Sequence, residues 1–147
     1  MKKILVLAVA ATVLFACGKD KFKTEPQVEI KSFGPSEVTL GQLFTLRAIV
    51  RDKEGDTNDS VLLVRKLQTN TGIRVDTLRR SVASFGAPET STIEISAVTS
   101  YGRLLDNYLY VDAQTADRTI AFGVIVIDKA KHRSAYVESG TIILKKF

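Results

Sequence analysis

Short segments in which apolar and other residues alternate recur from Val28 to the C-terminus. The clearest lies between Leu43 and Arg51, where Phe44, Leu46, Ala48 and Val50 fall on one face and Thr45 and Arg47 on the other. A side-chain period of two is that of a β-strand with one buried face. This pattern limits the fold more than any other feature of the sequence, because it predicts an all-β domain.

Comparable segments, separated by glycine, proline or polar clusters, predict seven to nine strands at spacings near ten residues. They cover residues 28–34, 38–41, 43–51, 61–68, 73–78, 92–98, 119–127 and 135–145. The run 119–127 is the most hydrophobic of them and is typical of a central strand. Residues 100–112 fit a helical and a strand period equally, and we predict a short helix there, over one end of the domain.

Many short strands with regular turn signals are typical of an antiparallel β-sandwich, with a closed barrel as the alternative. For the segment 61–68, the sequence does not decide which side of the predicted strand faces the core. Val61, Leu63 and Leu67 are apolar on one side, which Arg65 interrupts, and Leu62 and Val64 are apolar on the other.

The N-terminus has the features of an export signal. Lys2 and Lys3 precede an apolar run from Ile4 to Ala16, a charged start followed by a short apolar segment. At about 1.5 Å per helical residue the run is too short for a hydrocarbon core of about 30 Å, which needs roughly 20 residues. We therefore expect it to direct export and not to span the membrane.

The run ends in Leu14-Phe15-Ala16-Cys17-Gly18, which resembles the lipobox of bacterial lipoproteins. Cys17 is the only cysteine of the chain. The resemblance implies that the Cys17 thiol carries diacylglycerol, that cleavage falls between Ala16 and Cys17, and that the new amino group is acylated. Two or more acyl chains hold a protein stably on a bilayer. The alternative is an ordinary cleaved signal with an unmodified thiol, since free cysteine is often a small core residue.

These features divide the chain into a signal peptide (1–16), a lipidated cysteine with a polar tether (17–27) and one domain (28–147). Removal of the signal would leave about 130 residues, which suits a single domain. No second cysteine is present for a disulfide. The fold must therefore be stabilised by its core.

The order of signals in 28–147 resembles immunoglobulin-like domains of bacterial surface lipoproteins, particularly those of Bacteroidota. The resemblance rests on three features: a first strand broken by Pro35, an acidic loop at 52–59, and a strand-turn-strand arrangement at the C-terminus. The tryptophan and cysteine pair of antibody-type domains are absent. The resemblance implies an immunoglobulin-like β-sandwich. Gly18, in place of the aspartate that retains enterobacterial lipoproteins in the inner membrane, implies the outer membrane by a similar resemblance.

Catalytic motifs are missing from the sequence. The one histidine, His132, lies in a cationic turn, 129–133, a position more typical of solvated surface than of a general base. The sequence contains no Gly-x-Ser-x-Gly, His-Glu-x-x-His, Cys-x-x-Cys or phosphate-binding glycine loop. The net charge of +5 is dispersed, whereas nucleic-acid binders carry a basic stripe. We expect neither an enzyme nor a nucleic-acid-binding protein.

The loop 52–59 carries four acidic residues, Asp52, Glu54, Asp56 and Asp59. Calcium takes six to eight oxygen ligands, and a tight acidic loop can supply several. An EF-hand is excluded, because Gly55 stands at the fourth position of the loop and Leu63 occupies its twelfth. The alternative is a turn in which Gly55 has positive φ and the polar side chains bind their own backbone.

Tyr108 and Tyr110 make the segment before the central strand aromatic. Such residues can form a platform for a glycan or a protein partner, or they can lie at the edge of the core with a solvated hydroxyl. The sequence predicts a non-enzymatic lipoprotein held on the bilayer through acylated Cys17 and binding an envelope protein or glycan. The alternative is a calcium-stabilised glycan-binding module.

Overall fold

The computed structural model of the chain describes residues 24–57, 59–85 and 91–147. The predicted signal 1–16, the lipidation site at Cys17 and most of the tether lie outside these residues. The described residues form ten strands and one turn of 3₁₀ helix, Val82–Phe85. The strands are β1 Gln27–Gly34, β2 Glu37–Val38, β3 Leu43–Arg51, β4 Ser60–Thr69, β5 Gly72–Ser81, β6 Thr92–Tyr101, β7 Leu109–Val111, β8 Arg118–Ile127, β9 Val137–Glu138 and β10 Ile142–Leu144.

The strands form two sheets whose inner faces share one core. One sheet has the order β1-β3-β6-β7, and the other has the order β2-β10-β8-β4-β5, with β9 also paired to β8. The all-β prediction is confirmed, and the two sheets do not close into a barrel. Within the described ranges, no helix is long and apolar enough to cross a bilayer.

The prediction of a purely antiparallel arrangement is wrong, because β2 pairs with β10 and β7 pairs with β6 in parallel. The β2 pairing has a local cause. The chain leaves β1 at Pro35, which has no N–H for a ladder, and passes to the other sheet without reversing direction. The registers of the two sheets show that β1 and β2 both run toward the same end of the domain.

The short helix predicted within 100–112 is also wrong. Gly102 turns the chain immediately after β6 with a φ of +70°, a conformation that glycine adopts without strain. The chain then returns to form β7, in which Leu109 and Val111 face the core. Leu104, which contributed to the helical spacing, is 77% exposed. The apolar face of a helix therefore has nothing to bury against here.

The alternation in β3 and the central position of residues 119–127 are confirmed. Phe44, Leu46, Ala48 and Val50 are buried, and β8 lies between β10 and β4. In β4, the side with Val61, Leu63 and Leu67 faces the core.

Three aromatic rings join the sheets. Phe33 of β1 lies edge-to-face on Phe44 and on Phe122, with ring centroids 5.9 and 5.6 Å apart, and Phe44 and Phe122 are 6.3 Å apart. Phe122 belongs to the second sheet and the other two to the first. Edge-to-face aromatic pairs contribute about 0.5–1.5 kcal/mol beyond their buried area.

Tyr101 at the end of β6 is fully buried and connects three segments. Its hydroxyl donates to the carbonyl of Lys145 at 2.7 Å and accepts from the N–H of Gln114 at 3.0 Å. The side chain thus fastens the C-terminal residues and the segment before β8 to the first sheet.

We expect Tyr101→Phe to lower the free energy of unfolding by about 1–2 kcal/mol, since it leaves the half-buried carbonyl of Lys145 and the half-buried N–H of Gln114 without the Tyr101 hydroxyl as a partner. Urea unfolding followed by circular dichroism measures the change. Tyr108→Phe, at a side chain 42% exposed, is the matched control and should change stability by less than about 0.5 kcal/mol. Equal losses in the two variants would contradict the role given to Tyr101.

Candidate functional site

Two loops meet at one end of the sheets. Arg51, the last residue of β3, pairs with Gln27 and with Thr92, and Ile127, the last residue of β8, pairs with Ser60. The segments 52–59 and 128–134 therefore leave their strands at the end where the chain also enters β1. We call this pair of segments the acidic end.

Main-chain hydrogen bonds hold the two loops together. The N–H of Lys129 donates to the carbonyl of Asp56 at 3.0 Å, and the N–H of Ala130 donates to Asp56 Oδ2 at 3.2 Å. Gly55, directly before Asp56, has a φ of +72°, a left-handed conformation that glycine adopts without strain. The loop 52–59 is thereby folded back against the residues that follow β8.

Asp128, directly after β8, is fully buried and is held by His132. Its Oδ1 accepts the N–H of His132 at 2.7 Å, and its Oδ2 lies 3.0 Å from His132 Nδ1. The other carboxylate near this nitrogen is Glu54, with an oxygen 3.9 Å away. His132 is thus engaged with acidic groups although its side chain is 39% exposed.

Asp52, directly after β3, is 2% exposed. Its Oδ1 accepts the N–H of Glu54 at 3.1 Å, but among the described residues neither Asp52 Oδ2 nor Asp56 Oδ1 has a hydrogen-bond partner. One carboxylate oxygen from each of Asp52, Asp56 and Asp128 lies within 4.8 Å of the other two. Burial raises the pKa of Asp52, and the nearby carboxylates of Asp56 and Asp128 raise it further.

The four acidic residues of the loop 52–59, which the sequence suggested as one set of metal ligands, have three different surroundings in the structure. Asp52 and Asp56 converge on Asp128, whereas Glu54 joins a neighbouring group with Asp128 and His132. Asp59 forms ion pairs instead: its Oδ2 lies 3.0 Å from Lys131 Nζ and 3.4 Å from the guanidinium of Arg79. The Lys131 hydrogen bond holds the pKa of Asp59 below its usual value.

Asp128 was not among the grouped residues, although the sequence carries a signal for it. Asp52 follows immediately after a strand whose alternate residues are buried, and Asp128 follows immediately after a strand that is buried on both faces. A carboxylate at that position is close to the core and easily desolvated. Two such positions, at the ends of strands that lie in facing sheets, are a better indication of one site than spacing within a single loop.

The two tyrosines proposed as a platform have different surroundings. Tyr108 lines a cavity of about 340 Å³ between the two sheets. The other residues of its wall are Arg80, Ser84, Phe85, Ser96, Ala97, Val98, Asn107 and Leu109. Tyr110 is not part of this wall, and burial raises its pKa, with a further contribution from Asp112. The structure therefore does not join Tyr108 and Tyr110 into one surface of this cavity.

Arg65 holds the strand on which Tyr110 lies. It occupies the inner side of β4, and its guanidinium donates to the Tyr110 carbonyl at 2.7 Å and to Asp76 Oδ2 of β5 at 2.7 Å. The Arg65 side chain is 13% exposed. Its hydrogen bonds hold the pKa of Asp76 below the ordinary value. One cation thus links the edge strands of the two sheets.

Tyr108 lies far from the carboxylates of the acidic end, although Arg80 of the same cavity wall directly follows Arg79, which lies 3.4 Å from Asp59. The N–H of Asp52 donates to the Ser91 carbonyl, and Tyr108 shares the cavity wall with Val98. Seven residues of extended chain at about 3.3 Å each place these points roughly 20 Å apart. A cation at the acidic end would therefore not touch a ligand beside Tyr108.

No protein-family model matches the chain, and no curated protein is similar to it in sequence. Several solved structures resemble it loosely. An alkylpurine DNA glycosylase, AlkC, from Pseudomonas fluorescens bound to DNA aligns at 12% identity and TM-score 0.46, over 92% of this chain and 33% of that one. The sporulation control protein Spo0M from Bacillus subtilis aligns at 9% identity and TM-score 0.44, over 84% of this chain and 50% of that one.

A conjugative transposon lipoprotein from Bacteroides eggerthii aligns at 13% identity and TM-score 0.37, over 80% of this chain and 95% of that one. The chain thus spans one third to one half of the first two proteins. Similarity at this level supports no conclusion about the function of this chain.

We expect Asp76→Asn to lower the free energy of unfolding at pH 7 by about 1 kcal/mol, a value reduced for the partial exposure of the Asp76 side chain. Because the folded-state pKa of Asp76 is depressed, the wild-type stabilisation is complete above the ordinary carboxyl pKa and is lost as the pH falls through the depressed value. The difference between the two proteins should therefore shrink below about pH 4.

Urea unfolding at pH 7, 5 and 3 measures this difference. Asp106→Asn, at an exposed aspartate, is the control and should unfold like the wild type throughout. A wild-type advantage over Asp76→Asn that stays constant from pH 7 to pH 3 would show that the ionised carboxylate is not its source.

Proposed function

We propose that the chain is a membrane-anchored lipoprotein of the bacterial outer membrane, with one immunoglobulin-like β-sandwich that acts as a non-enzymatic binding or scaffolding module. The observation that carries the anchor is the position of the only cysteine. Cys17 ends a short apolar run behind Lys2 and Lys3, which is where lipid modification of an exported protein needs a thiol. Thioether-linked and amide-linked acyl chains together would hold the domain stably on a bilayer.

The arrangement of the sheets supports the immunoglobulin-like part of this proposal. In such domains strands A, B and E lie in one sheet, and strands C, F and G lie in the other. Here β1, β3 and β6 share a sheet and correspond to A, B and E. In the other sheet, β4, β8 and β10 correspond to C, F and G. The parallel strand β7, which follows β6 and pairs with it, is a departure from that pattern.

The polar segment 18–27 supports a domain held off the lipid surface. It contains Lys19, Asp20, Lys21, Lys23 and Glu25, and β1 begins at Gln27. Fully stretched at about 3.5 Å per residue, ten residues reach about 35 Å. The module can therefore meet partners well above the headgroups.

The non-enzymatic part rests on the sequence motifs and on the surroundings of His132. Nδ1 of the His132 ring lies 3.0 Å from the Asp128 carboxylate and 3.9 Å from the Glu54 carboxylate. A general base of the serine-hydrolase type needs a nucleophile on its free side, and the sequence contains none of the motifs that position one. Binding is the simpler role for this domain.

Cys17→Ala should abolish acylation of the protein in bacterial cells, because no other thiol is available. Metabolic labelling with an alkyne analogue of palmitate, followed by mass spectrometry of the intact protein, measures the modification. The wild type should carry acyl chains on a protein that starts at Cys17. Phe15→Ala, which changes the same segment but keeps the thiol, should remain labelled. An unmodified wild-type protein that retains residues 1–16 would contradict the anchor.

A second candidate function is glycan binding, favoured by the surroundings of Tyr108. Tyr108, Arg80 and Asn107 lie on the wall of one cavity. An aromatic face beside hydrogen-bonding side chains suits a sugar ring, which is apolar on its faces and polar at its edge. In this candidate a calcium ion would stabilise the loop 52–59 and would not touch the glycan.

If this second function holds, Tyr108→Ala should weaken glycan binding at least about tenfold, since most of the ring contact would be lost. A glycan array screened with the wild type identifies the ligand, and titration of that glycan compares the variants. Tyr110→Ala is the matched control, because Tyr110 lies outside the cavity wall, and should bind within about twofold of wild type. Unchanged binding by Tyr108→Ala would exclude this cavity.

A further inference from the structure

The acidic end contains a polar group that its own fold does not satisfy. Asp52 is 2% exposed, and its Oδ2 has no hydrogen-bond partner in the described residues. A carboxylate removed from water without a compensating partner is strongly disfavoured. Most buried polar atoms in proteins are paired, so an unpaired one on a residue whose carboxylate group lies beside two others indicates a missing positive charge.

The spacing of the three carboxylates suits a single ion. Calcium binds oxygen at about 2.3–2.6 Å, so two oxygens on opposite sides of one ion lie about 5 Å apart at most. One oxygen from each of Asp52, Asp56 and Asp128 lies within 4.8 Å of the others. Asp56 Oδ1 is the second oxygen of the group without a partner.

From this arrangement we propose that Asp52, Asp56 and Asp128 bind one calcium ion, which cross-links the loop 52–59 to the residues that follow β8. The two positive charges of the ion offset most of the charge of three carboxylates that otherwise repel one another. Main-chain carbonyls and water complete its coordination, as they commonly do for calcium. The inference deepens the second candidate function above but needs neither a glycan nor the anchor at Cys17.

The chemistry of the ligands favours calcium over other divalent ions. All three are carboxylates, whereas zinc prefers nitrogen and sulfur. Magnesium demands a near-ideal octahedron at 2.0–2.1 Å, and calcium accepts irregular sets of ligands. Here the ligands come from two separate loops. His132 Nδ1 lies 3.0 Å from Asp128 Oδ2, so the ring orients a ligand while that nitrogen is engaged with the carboxylate and not with the ion.

The site differs from the one that the loop sequence alone indicates. Asp59 is excluded, because it accepts from Lys131 at 3.0 Å and lies 3.4 Å from Arg79. Asp128 takes its place, from a segment about 70 residues further along the chain. The two aspartates at positions 56 and 59 therefore give a matched pair of substitutions on one loop, with opposite expectations.

The test uses the purified full-length protein after removal of divalent ions with EGTA. Calorimetric titration with calcium chloride should show one ion bound per chain. At a calcium concentration one hundred times the dissociation constant, the melting midpoint should rise by about 10 °C. Asp52→Asn and Asp56→Asn should each raise the dissociation constant at least about tenfold, while Asp59→Asn should change it less than about twofold.

Three results would overturn the proposal. The first is a melting midpoint that does not move, together with the absence of binding heat, at calcium concentrations up to 10 mM (about a thousandfold above a 10 µM site). The second is an equal loss of affinity in Asp59→Asn and Asp56→Asn. The third is magnesium binding as tight as calcium binding, which would remove the assignment to calcium. Acylation of Cys17 is measured separately, so failure of one proposal leaves the other standing.

Discussion

The apolar contact between β3 and β8 is the constraint on which the rest of the structure depends. Phe44 of β3 and Phe122 of β8 meet across the two sheets. Alternate residues are buried along β3, and every residue from 120 to 126 is buried along β8. The buried residues that follow Phe44 and Phe122 continue this packing to the ends of the two strands. The residues that come next in the chain, Asp52 and Asp128, are brought together as a consequence of core packing and not through attraction between them.

A conflict follows from that placement. Burial of the strands carries Asp52 and Asp128 out of water with them, although like charges favour separation. Hydrogen bonds from Glu54 and His132 relieve part of the cost. Unfavourable local arrangements of this kind persist only where the surrounding structure imposes them, and they are often found at functional sites.

The sequence was informative where one face of a strand is buried and poorly informative where two distant segments meet. The period of two in β3 and the apolar run of β8 follow directly from burial. By contrast, Arg65 stands on an inner face because its partners Asp76 and the Tyr110 carbonyl lie on other strands. Gly123 in the middle of β8 has a similar explanation, since a Cβ there would lie 2.0 Å from the ring of Tyr136. Period and propensity contain no information about such contacts. For the same reason, the sequence pattern placed Asp59 among the candidate metal ligands and left Asp128 out.

The register between β1 and β3 also fixes how the domain is oriented relative to whatever precedes it. Gln27 lies opposite Arg51, so the chain arrives beside the carboxylates of Asp52 and its neighbours. The reverse turn at 70–72 lies at the other pole, a full strand length away. If residues upstream of Thr24 are attached to a bilayer, the carboxylate pole is the part of the domain nearest to the lipid. The distal pole, with the 70–72 turn at its tip, is then the part of the molecule that meets the surroundings first.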